Sequence, residues 1–330
     1  MARIDGVADR SAHEAGDAPV WDLCGVGRVP VPPDLAAGAR QTGVELPPNL
    51  GERALVAAHA RLLAAMDAGS ARPRAAALLM RQMVYPAPAN ALTPQVLAQQ
   101  SAHLAVGSGD PVLLAWAAQQ CVSTASCPTD PAAAWSQVEP DNAVPWLLIA
   151  AHQPGKQAEA LTALARATRY TSHYGAISAA VLDAMPADIP SYLQPQLLLQ
   201  SFVVDGAMGG ADSAEAAKLC RPAPEAGSQR QALCRSLAAL MVGQDDTALA
   251  YLIGLRVEVL AGMPGHHYQE RRAAMQRLLT DTGMALIDWE HPYSCAAVER
   301  WQRWTRDRAA LGELGAARAW AAAAASAAKH

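Results

Sequence analysis

The sequence predicts an all-α protein whose helices pack as antiparallel pairs, with no sheet. First, 52% of the 330 residues are hydrophobic, but alanine dominates this group and only one residue is Phe. Alanine has the highest intrinsic helix propensity and little volume, so helices rich in it approach closely. Second, no run shows the strict alternation of a half-buried strand. Third, Pro and Gly interrupt the helical pattern at short intervals, which favours antiparallel neighbours.

The chain divides into residues 1–50, predicted to be a Pro- and Gly-containing N-terminal arm, and residues 51–330, predicted to be one helical-repeat-like domain. The arm contains proline clusters such as Arg28–Pro33 and lacks helical periodicity. Pro-rich sequence does not build a helical core. We therefore expect regular structure to begin after Pro48.

Hydrophobic stripes predict the first helices at Glu52–Ala68 and Arg72–Met83. Three later helices are predicted to start at Pro94, Pro111 and Pro131, because a Thr or Asp precedes each Pro. The Thr or Asp side chain caps a free backbone N–H, and Pro supplies a helical φ where no donor is needed. Further helices are predicted at Ala143–His152, Gln157–Arg169, Tyr174–Met185, Tyr192–Val204, Ser213–Cys220, Ser228–Val242, Asp246–Leu260, His267–Asp281, Cys295–Ala309 and in the Ala-rich C-terminal stretch.

Residues 127–168 have the spacing of a helical repeat. Trp146 follows Pro140 by six residues, and a small, bulky, small pattern comes next at Ala160, Leu164 and Ala167. This stretch resembles part of a tetratricopeptide repeat, in which a Pro closes one repeat and an aromatic residue opens the next helix. The resemblance covers about one repeat. It implies an irregular, tetratricopeptide-like α-solenoid of helix hairpins, whose concave surface binds a peptide or protein and which has no catalytic residues.

A formal net charge of −4 argues against a surface for nucleic acid, because binding to phosphates needs concentrated Lys and Arg. The densest basic stretch, Arg300–Arg308, also contains Asp307, and we interpret it as a solvated helix face. No apolar run approaches the ~18 residues of a spanning helix, and Ala319–Ala325 is short and nearly all Ala. We therefore expect neither a nucleic-acid partner nor a transmembrane segment.

Six cysteines bear on the compartment. Cys121 and Cys127 are close in sequence, as are Cys220 and Cys234, so that a disulfide could join each pair across a short loop. Cys24 and Cys295 could pair only if distant parts of the chain meet. Disulfides favour an oxidising, extracytoplasmic compartment such as a bacterial periplasm. The alternative is a cytoplasmic protein with isolated buried thiols, and the polar segment Met1–Arg10 lacks the apolar region of a secretory signal.

The strongest metal-ligand pattern is at His266, His267 and Glu270. On a helix His266 and Glu270 lie four residues apart, so both could face one metal, with His291 as a third ligand. The alternative is an ordinary helix start, since adjacent His residues point in different directions and no HExxH spacing is present. We predict no cofactor and keep these residues as metal candidates.

Arg169–Tyr174 places hydroxyl groups beside the imidazole of His173. In an enzyme these groups could be a nucleophile and its base, but a polar loop between helices uses the same residue types. The common nucleophile-elbow and phosphate-loop motifs are not present. The sequence therefore assigns no catalytic residue.

Trp116, Trp135 and Trp146 cluster near the repeat-like stretch, and Trp301 and Trp304 lie three residues apart. In helices Trp is usually a core residue and less often an exposed binding anchor. Taken together, these features predict a non-enzymatic helical scaffold that binds a peptide, protein or envelope component. Two alternatives remain. One is an all-α enzyme or metal-binding protein that uses the His266/His267/Glu270 region, and the other is a purely structural or assembly protein.

Overall fold

The structure, a computed structural model, is mainly helical, which confirms the predicted helical class. Within the described residues no helix is long and apolar enough to cross a membrane. Much of the predicted N-terminal arm, residues 1–19 and 31–49, lies outside the described residues. The structure describes residues 20–30, 50–81, 92–124, 127, 129–244, 246–287 and 291–327.

A small antiparallel sheet corrects the prediction of a chain without strands. Strand β1 (Val20–Leu23) pairs with β2 (Gly27–Pro30). Gly25 has a φ of 81° in the turn between them, which glycine adopts without steric cost. Trp21 and Leu23 are buried in the main core. Each strand has four residues, and an alternation this short does not stand out in a sequence.

The helices follow one another with short connections. Their bounds in chain order are α1 Glu52–Asp67, α2 Ala71–Met80, α3 Pro94–Ser108, α4 Pro111–Thr124, α5 Pro131–Val138, α6 Ala143–His152, α7 Gln157–Leu164, α8 Ala176–Asp183, α9 Gln194–Met208, α10 Ala211–Leu219, α11 Gln229–Gly243, α12 Ala248–Leu260, α13 His266–Leu286 and α14 Cys295–Ala327. Gly312 has non-helical angles inside α14 (φ 73°, ψ 171°). Helix α14 therefore includes both of the last two predicted helices, with a kink between them.

The three predicted Pro-started helices are confirmed. Thr93, Asp110 and Asp130 each accept a hydrogen bond from a backbone N–H in the first turn of α3, α4 and α5. These bonds satisfy donors that have no partner inside the helix. The sequence signal and the structure agree because the capping interaction is entirely local.

Helix α7 ends five residues earlier than predicted, at Leu164 instead of Arg169. The chain then crosses to the start of α6, where the amide of Ala143 donates to the carbonyl oxygen of Arg169 at 2.8 Å. In the opposite direction, the amides of Thr168 and Arg169 donate to the carbonyl oxygen of Asp141 at 3.0 and 3.2 Å. These bonds replace the last turn of the helix and fix the position of the loop that follows.

Successive helices pack in pairs, most extensively α3 with α4, α4 with α5, α6 with α7 and α11 with α12. Other contacts join distant parts of the chain, because α8 packs against both α2 and α14. Trp116, Trp135 and Trp304 are buried, as predicted for core tryptophans, while Trp146 and Trp301 are partly buried. The region where α2, α8 and α14 meet contains the candidate site.

All six cysteines lie at disulfide distance from a partner. The Cα–Cα distances are 5.6 Å for Cys121 and Cys127 and 5.9 Å for Cys220 and Cys234. Cys24, in the hairpin turn, joins Cys295 at the start of α14 with a Cα–Cα distance of 4.6 Å, across 271 residues of sequence. The two close cysteine pairs predicted from the sequence are therefore found in the structure, and the condition for pairing Cys24 with Cys295 is met.

Candidate functional site

A polar cleft of about 490 Å³ lies between α2, α8 and the kink of α14. A loop of residues 170–174 and the turn before α12 complete its walls. Its volume is within the usual range of small-molecule and peptide pockets. The residues with ionisable side chains that line it are Arg72, Tyr170, His173, Tyr174, Asp183 and Asp246.

Asn142 ties this loop to the start of α6. Its side-chain amide donates to the carbonyl oxygen of Thr171 at 2.9 Å, and its side-chain oxygen accepts from the amide of Thr171 at 3.2 Å. The same oxygen caps α6 by accepting from the amide of Val144. Asn142 is completely buried, so one rigid side chain sets both the helix start and the loop.

Glu139 lies behind the loop and is held by four donors. Trp135 Nε1, Asn142 Nδ2 and His173 Nε2 lie 2.6, 3.0 and 3.1 Å from Glu139 Oε2, and Arg169 lies 3.0 Å from Oε1. Burial opposes ionisation, but the hydrogen bonds from His173, Trp135 and Asn142 outweigh it and lower the pKa of Glu139. Glu139 is therefore a fixed carboxylate that orients the imidazole of His173.

The backbone of the loop is unusual at His173, which has a φ of 57°. This left-handed conformation costs a non-glycine residue about 1 kcal/mol. Two residues later Gly175 has a φ of 86°, and a Cβ atom there would lie 3.3 Å from backbone atoms of Arg308 and Ala309. The loop thus packs backbone to backbone on α14, which holds His173 in its strained conformation.

Asp246, in the turn before α12, supports the loop from the other side. Its Oδ2 accepts hydrogen bonds from the amide and the hydroxyl of Ser172 at 2.6 and 2.7 Å. Burial raises the pKa of Asp246, although the bonds from Ser172 and the charge of His173 act in the opposite direction. The hydroxyl hydrogen of Ser172 is used in the bond to Asp246. The arrangement therefore differs from a nucleophile that donates to His173.

Two further carboxyl groups are buried beneath the cleft. The hydroxyl of Tyr170 donates to Asp212 Oδ2 at 2.9 Å, yet burial raises the pKa of Asp212 to about 7. Asp205 accepts hydrogen bonds from the amide and hydroxyl of Ser178, and burial raises its pKa despite the nearby charge of Arg308. These groups tie α8, α9 and α10 to the cleft.

Arg308 corrects the interpretation of Arg300–Arg308 as a solvated face. Its side chain is buried, with the guanidinium 4.7 Å from the ring centroid of Tyr174 and 4.0 Å from that of Phe202. Arg303 and Arg306 on the same helix are exposed. An arginine spaced among exposed ones gives no sequence signal of burial, so the sequence did not identify this residue.

The metal candidates lie elsewhere, at the start of α13. His267 Nδ1 is 3.9 Å from Glu270 Oε2, and both side chains are largely exposed. His291 is an exposed residue before α14, and the side chain of His266 lies outside the described residues. In the part of the chain that the structure describes, no three His, Cys, Asp or Glu side chains are grouped closely enough to hold a metal ion.

A second, larger groove of about 880 Å³ lies between α7 and α11. Leu161, Leu219 and Leu233 make it more apolar than the cleft. Its Arg230 donates to the carbonyl oxygens of Leu219, Arg221 and Pro222, so this cation serves the local backbone. Ligand sites need placed polar groups that fix the orientation of the ligand, and the cleft at His173 has more polar lining residues than this groove.

Comparison with known proteins gives no relative from which a function could be inferred. The chain matches no protein-family model, no curated protein and no solved structure. The function is therefore argued from the groups that line the cleft and from the residues that hold them. Among these, the sequence singled out the loop of residues 169–174, but it did not identify Glu139, Asp205, Asp212 or Asp246 as its supports.

Proposed function

We propose that the protein is an extracytoplasmic helical binding protein that takes a segment of peptide in the cleft at His173. The observation that carries this proposal is the convergence of polar groups on one preformed cleft. Two side chains that line the cleft, Tyr170 and His173, are each hydrogen-bonded to a buried carboxyl group. Ser172, which lies between them in the loop, is held by Asp246 in the same way. A site whose polar groups are already held in place loses little entropy when a ligand binds.

The charges of the cleft support a neutral or basic peptide. Arg72 donates to Asp110 through two hydrogen bonds, at 2.6 and 3.2 Å, so its positive charge is already paired. Asp183 and Asp246 add carboxyl groups to the walls. A ligand with several negative charges would meet this surface unfavourably.

The cysteine pairs support an oxidising compartment such as the bacterial periplasm. Three pairs lie at disulfide distance, and disulfides persist mainly in secreted and periplasmic proteins. The tetratricopeptide-like spacing of residues 127–168 supports the same kind of function, because arrays of helix hairpins often present a concave surface to a peptide. These features and the cleft are consistent with one role, recognition of a peptide outside the cytoplasm.

Selection from random dodecapeptides displayed on phage tests the proposal. Ala179 lines the cleft, so the Ala179→Trp variant fills it, whereas Ala322→Trp adds the same ring on an exposed part of α14. We expect an enriched peptide family that binds the wild type and Ala322→Trp equally, and Ala179→Trp at least tenfold more weakly. Equal binding to all three proteins, or no enriched family, would show that the cleft is not a peptide site.

A further inference from the structure

His173 and Glu139 give the cleft a group that can transfer protons. We propose that His173 is a catalytic general base that hydrolyses an acyl bond, an ester or an amide, in a molecule bound in the cleft, and that Glu139 is its positioning residue. The proposal rests on the proposed function only in that the acyl compound must enter the same cleft. It adds an activity that the helical architecture alone does not suggest.

The imidazole is held in one orientation. His173 Nε2 lies 3.1 Å from Glu139 Oε2, and an ionised carboxylate accepts the ring N–H at this distance. In the neutral ring this contact places the proton on Nε2 and leaves the lone pair that a base requires on Nδ1. Trp135 packs beside the ring, with centroids 6.0 Å apart, and donates to the same carboxylate oxygen.

Two other histidines beside carboxylates lack these features. His152 Nε2 lies 3.5 Å from Glu215 Oε1, but its side chain is 41% exposed, and Glu215 also binds Lys218. His267 is 63% exposed beside Glu270. The side chain of His173 is only 19% exposed, yet it lines the cleft, so a bound molecule can reach a ring that the protein otherwise shields.

The strained backbone at His173 supports a functional role. Its φ of 57° lies in the left-handed region, where a glycine would be unstrained. Residues that keep such a conformation cluster at catalytic and ligand-binding sites, since the surrounding structure must hold them there. The backbone conformation at this position favours glycine, yet the residue there is histidine.

The chemical step balances with water as the only added reactant. Nδ1 of His173 takes a proton from water while the water oxygen bonds to the acyl carbon. The bond from that carbon to the leaving oxygen or nitrogen then breaks, and the imidazolium returns its proton to the leaving group. The products are a carboxylic acid and an alcohol or amine. The charged groups around the ring are Glu139, Asp246 and Arg169.

The test measures hydrolysis of 4-nitrophenyl acetate and of a fluorescence-quenched random peptide mixture by the full chain. In His173→Gly the imidazole is removed and the backbone strain is relieved, so this variant should remain folded. We expect a loss of turnover of about 100-fold or more, the usual contribution of a general base. Free imidazole added to His173→Gly should restore part of the turnover.

Glu139→Gln tests the positioning role. We expect kcat to fall more than KM rises, and the midpoint of the kcat profile to move to lower pH, because the imidazolium loses a neighbouring negative charge. A residue that only stabilises the fold would not move this midpoint. His152→Gln is the matched control, since it removes a carboxylate-paired histidine outside the cleft, and its turnover should equal that of the wild type.

The catalytic proposal is wrong if the wild type hydrolyses both probes no faster than free imidazole at the same concentration. It is also wrong if His173→Gly retains full turnover. Either result leaves peptide binding intact if the phage selection still depends on Ala179. Conversely, hydrolysis that is lost in His173→Gly without any enriched peptide would refute the peptide proposal and retain the catalytic one for ester substrates.

Discussion

Arg308 and Asp205 form an ion pair between α14 and α9 that is almost completely buried. A terminal nitrogen of Arg308 lies 3.6 Å from Asp205 Oδ2, and the two side chains are 3% and 1% exposed. Asp205 also accepts hydrogen bonds at the start of α8. The pair therefore connects α8, α9 and α14, and two of these helices, α8 and α14, line the cleft.

Arg308→Met should lower the free energy of unfolding by about 3–5 kcal/mol, because it leaves a buried carboxyl group without its cation. Asp205 then takes up a proton to avoid a buried charge, so the loss should be larger at pH 8 than at pH 5. Urea unfolding at both pH values measures the effect. Arg306→Met, an exposed change on the same helix, should change stability by less than about 0.5 kcal/mol. Equal losses in the two variants would contradict the assigned burial.

Asp212 should make the protein less stable as the pH rises towards neutrality. Its pKa is about 7 in the folded protein and ~3.9 in an unfolded chain. The folded state thus binds more protons between these values, and stability falls as pH increases. From pH 5 to pH 8 the loss due to this group is about 2–3 kcal/mol.

Asp212→Asn isolates this contribution, because the amide oxygen can still accept from the hydroxyl of Tyr170. The drop in unfolding free energy between pH 5 and pH 8 should be smaller in the variant than in the wild type by that amount. Chemical denaturation of both proteins at the two pH values provides the comparison. Parallel pH profiles would show that Asp212 does not titrate in this range.

Removal of the Cys24–Cys295 link should cost more stability than removal of the Cys121–Cys127 link. The first closes a segment of 271 residues and the second a segment of six. Loop-closure entropy gives about 6 kcal/mol for the long loop and about 2 kcal/mol for the short one. Denaturant unfolding of Cys24→Ser/Cys295→Ser and Cys121→Ser/Cys127→Ser measures the difference.

Thiol titration is the control for that comparison. The unreduced wild type should show no free thiol after unfolding in denaturant, since each cysteine has a partner. Six reactive thiols before any reduction would remove the basis for the stability prediction and for an oxidising compartment.

Glycines inside α12 and α13 should respond in opposite ways to alanine. A Cβ atom at Gly254 would lie 2.8 Å from Met241 Cβ and 2.9 Å from Val242 Cγ2, whereas one at Gly283 meets no atom within 4 Å. Gly254→Ala should therefore destabilise by about 1–3 kcal/mol through overpacking. Gly283→Ala should stabilise by about 0.5–1 kcal/mol by restricting the unfolded chain. Thermal and urea unfolding should give opposite signs, and a shared sign would contradict the packing of α11 on α12.

Local signals account for what the sequence predicted. The helix starts at Pro94, Pro111 and Pro131 depend on one capping residue each, and Cys121 and Cys127 are separated by one short loop. The hairpin at Val20–Pro30 was not predicted because two strands of four residues give little alternation. Helix α7 was predicted too long because its last turn is replaced by bonds to α6, which the sequence of α7 does not show.

The buried carboxylates that hold the residues of the cleft could not be predicted from the sequence, for a different reason. Glu139, Asp205 and Asp212 are of residue types that usually lie at the surface. Each of them is also held by a partner about 30 or more residues away in the sequence: His173, Arg308 and Tyr170, respectively. Asp205 and Arg308 are more than a hundred residues apart, so nothing near either one indicates the other. The loop of residues 169–174 was noticed from its hydroxyl groups and imidazole, but its geometry depends on Asn142 and Asp246.

The bond between Cys24 and Cys295 also constrains the order of events during biosynthesis. Cys24 is translated 271 residues before its partner, and both members of the other two pairs are translated between them. If those pairs close as they emerge, Cys24 has a single remaining partner, and the many pairings that six cysteines allow are avoided. Oxidation that outpaces translation would instead expose Cys24 to wrong partners, so the yield of native protein should depend on the rate of synthesis.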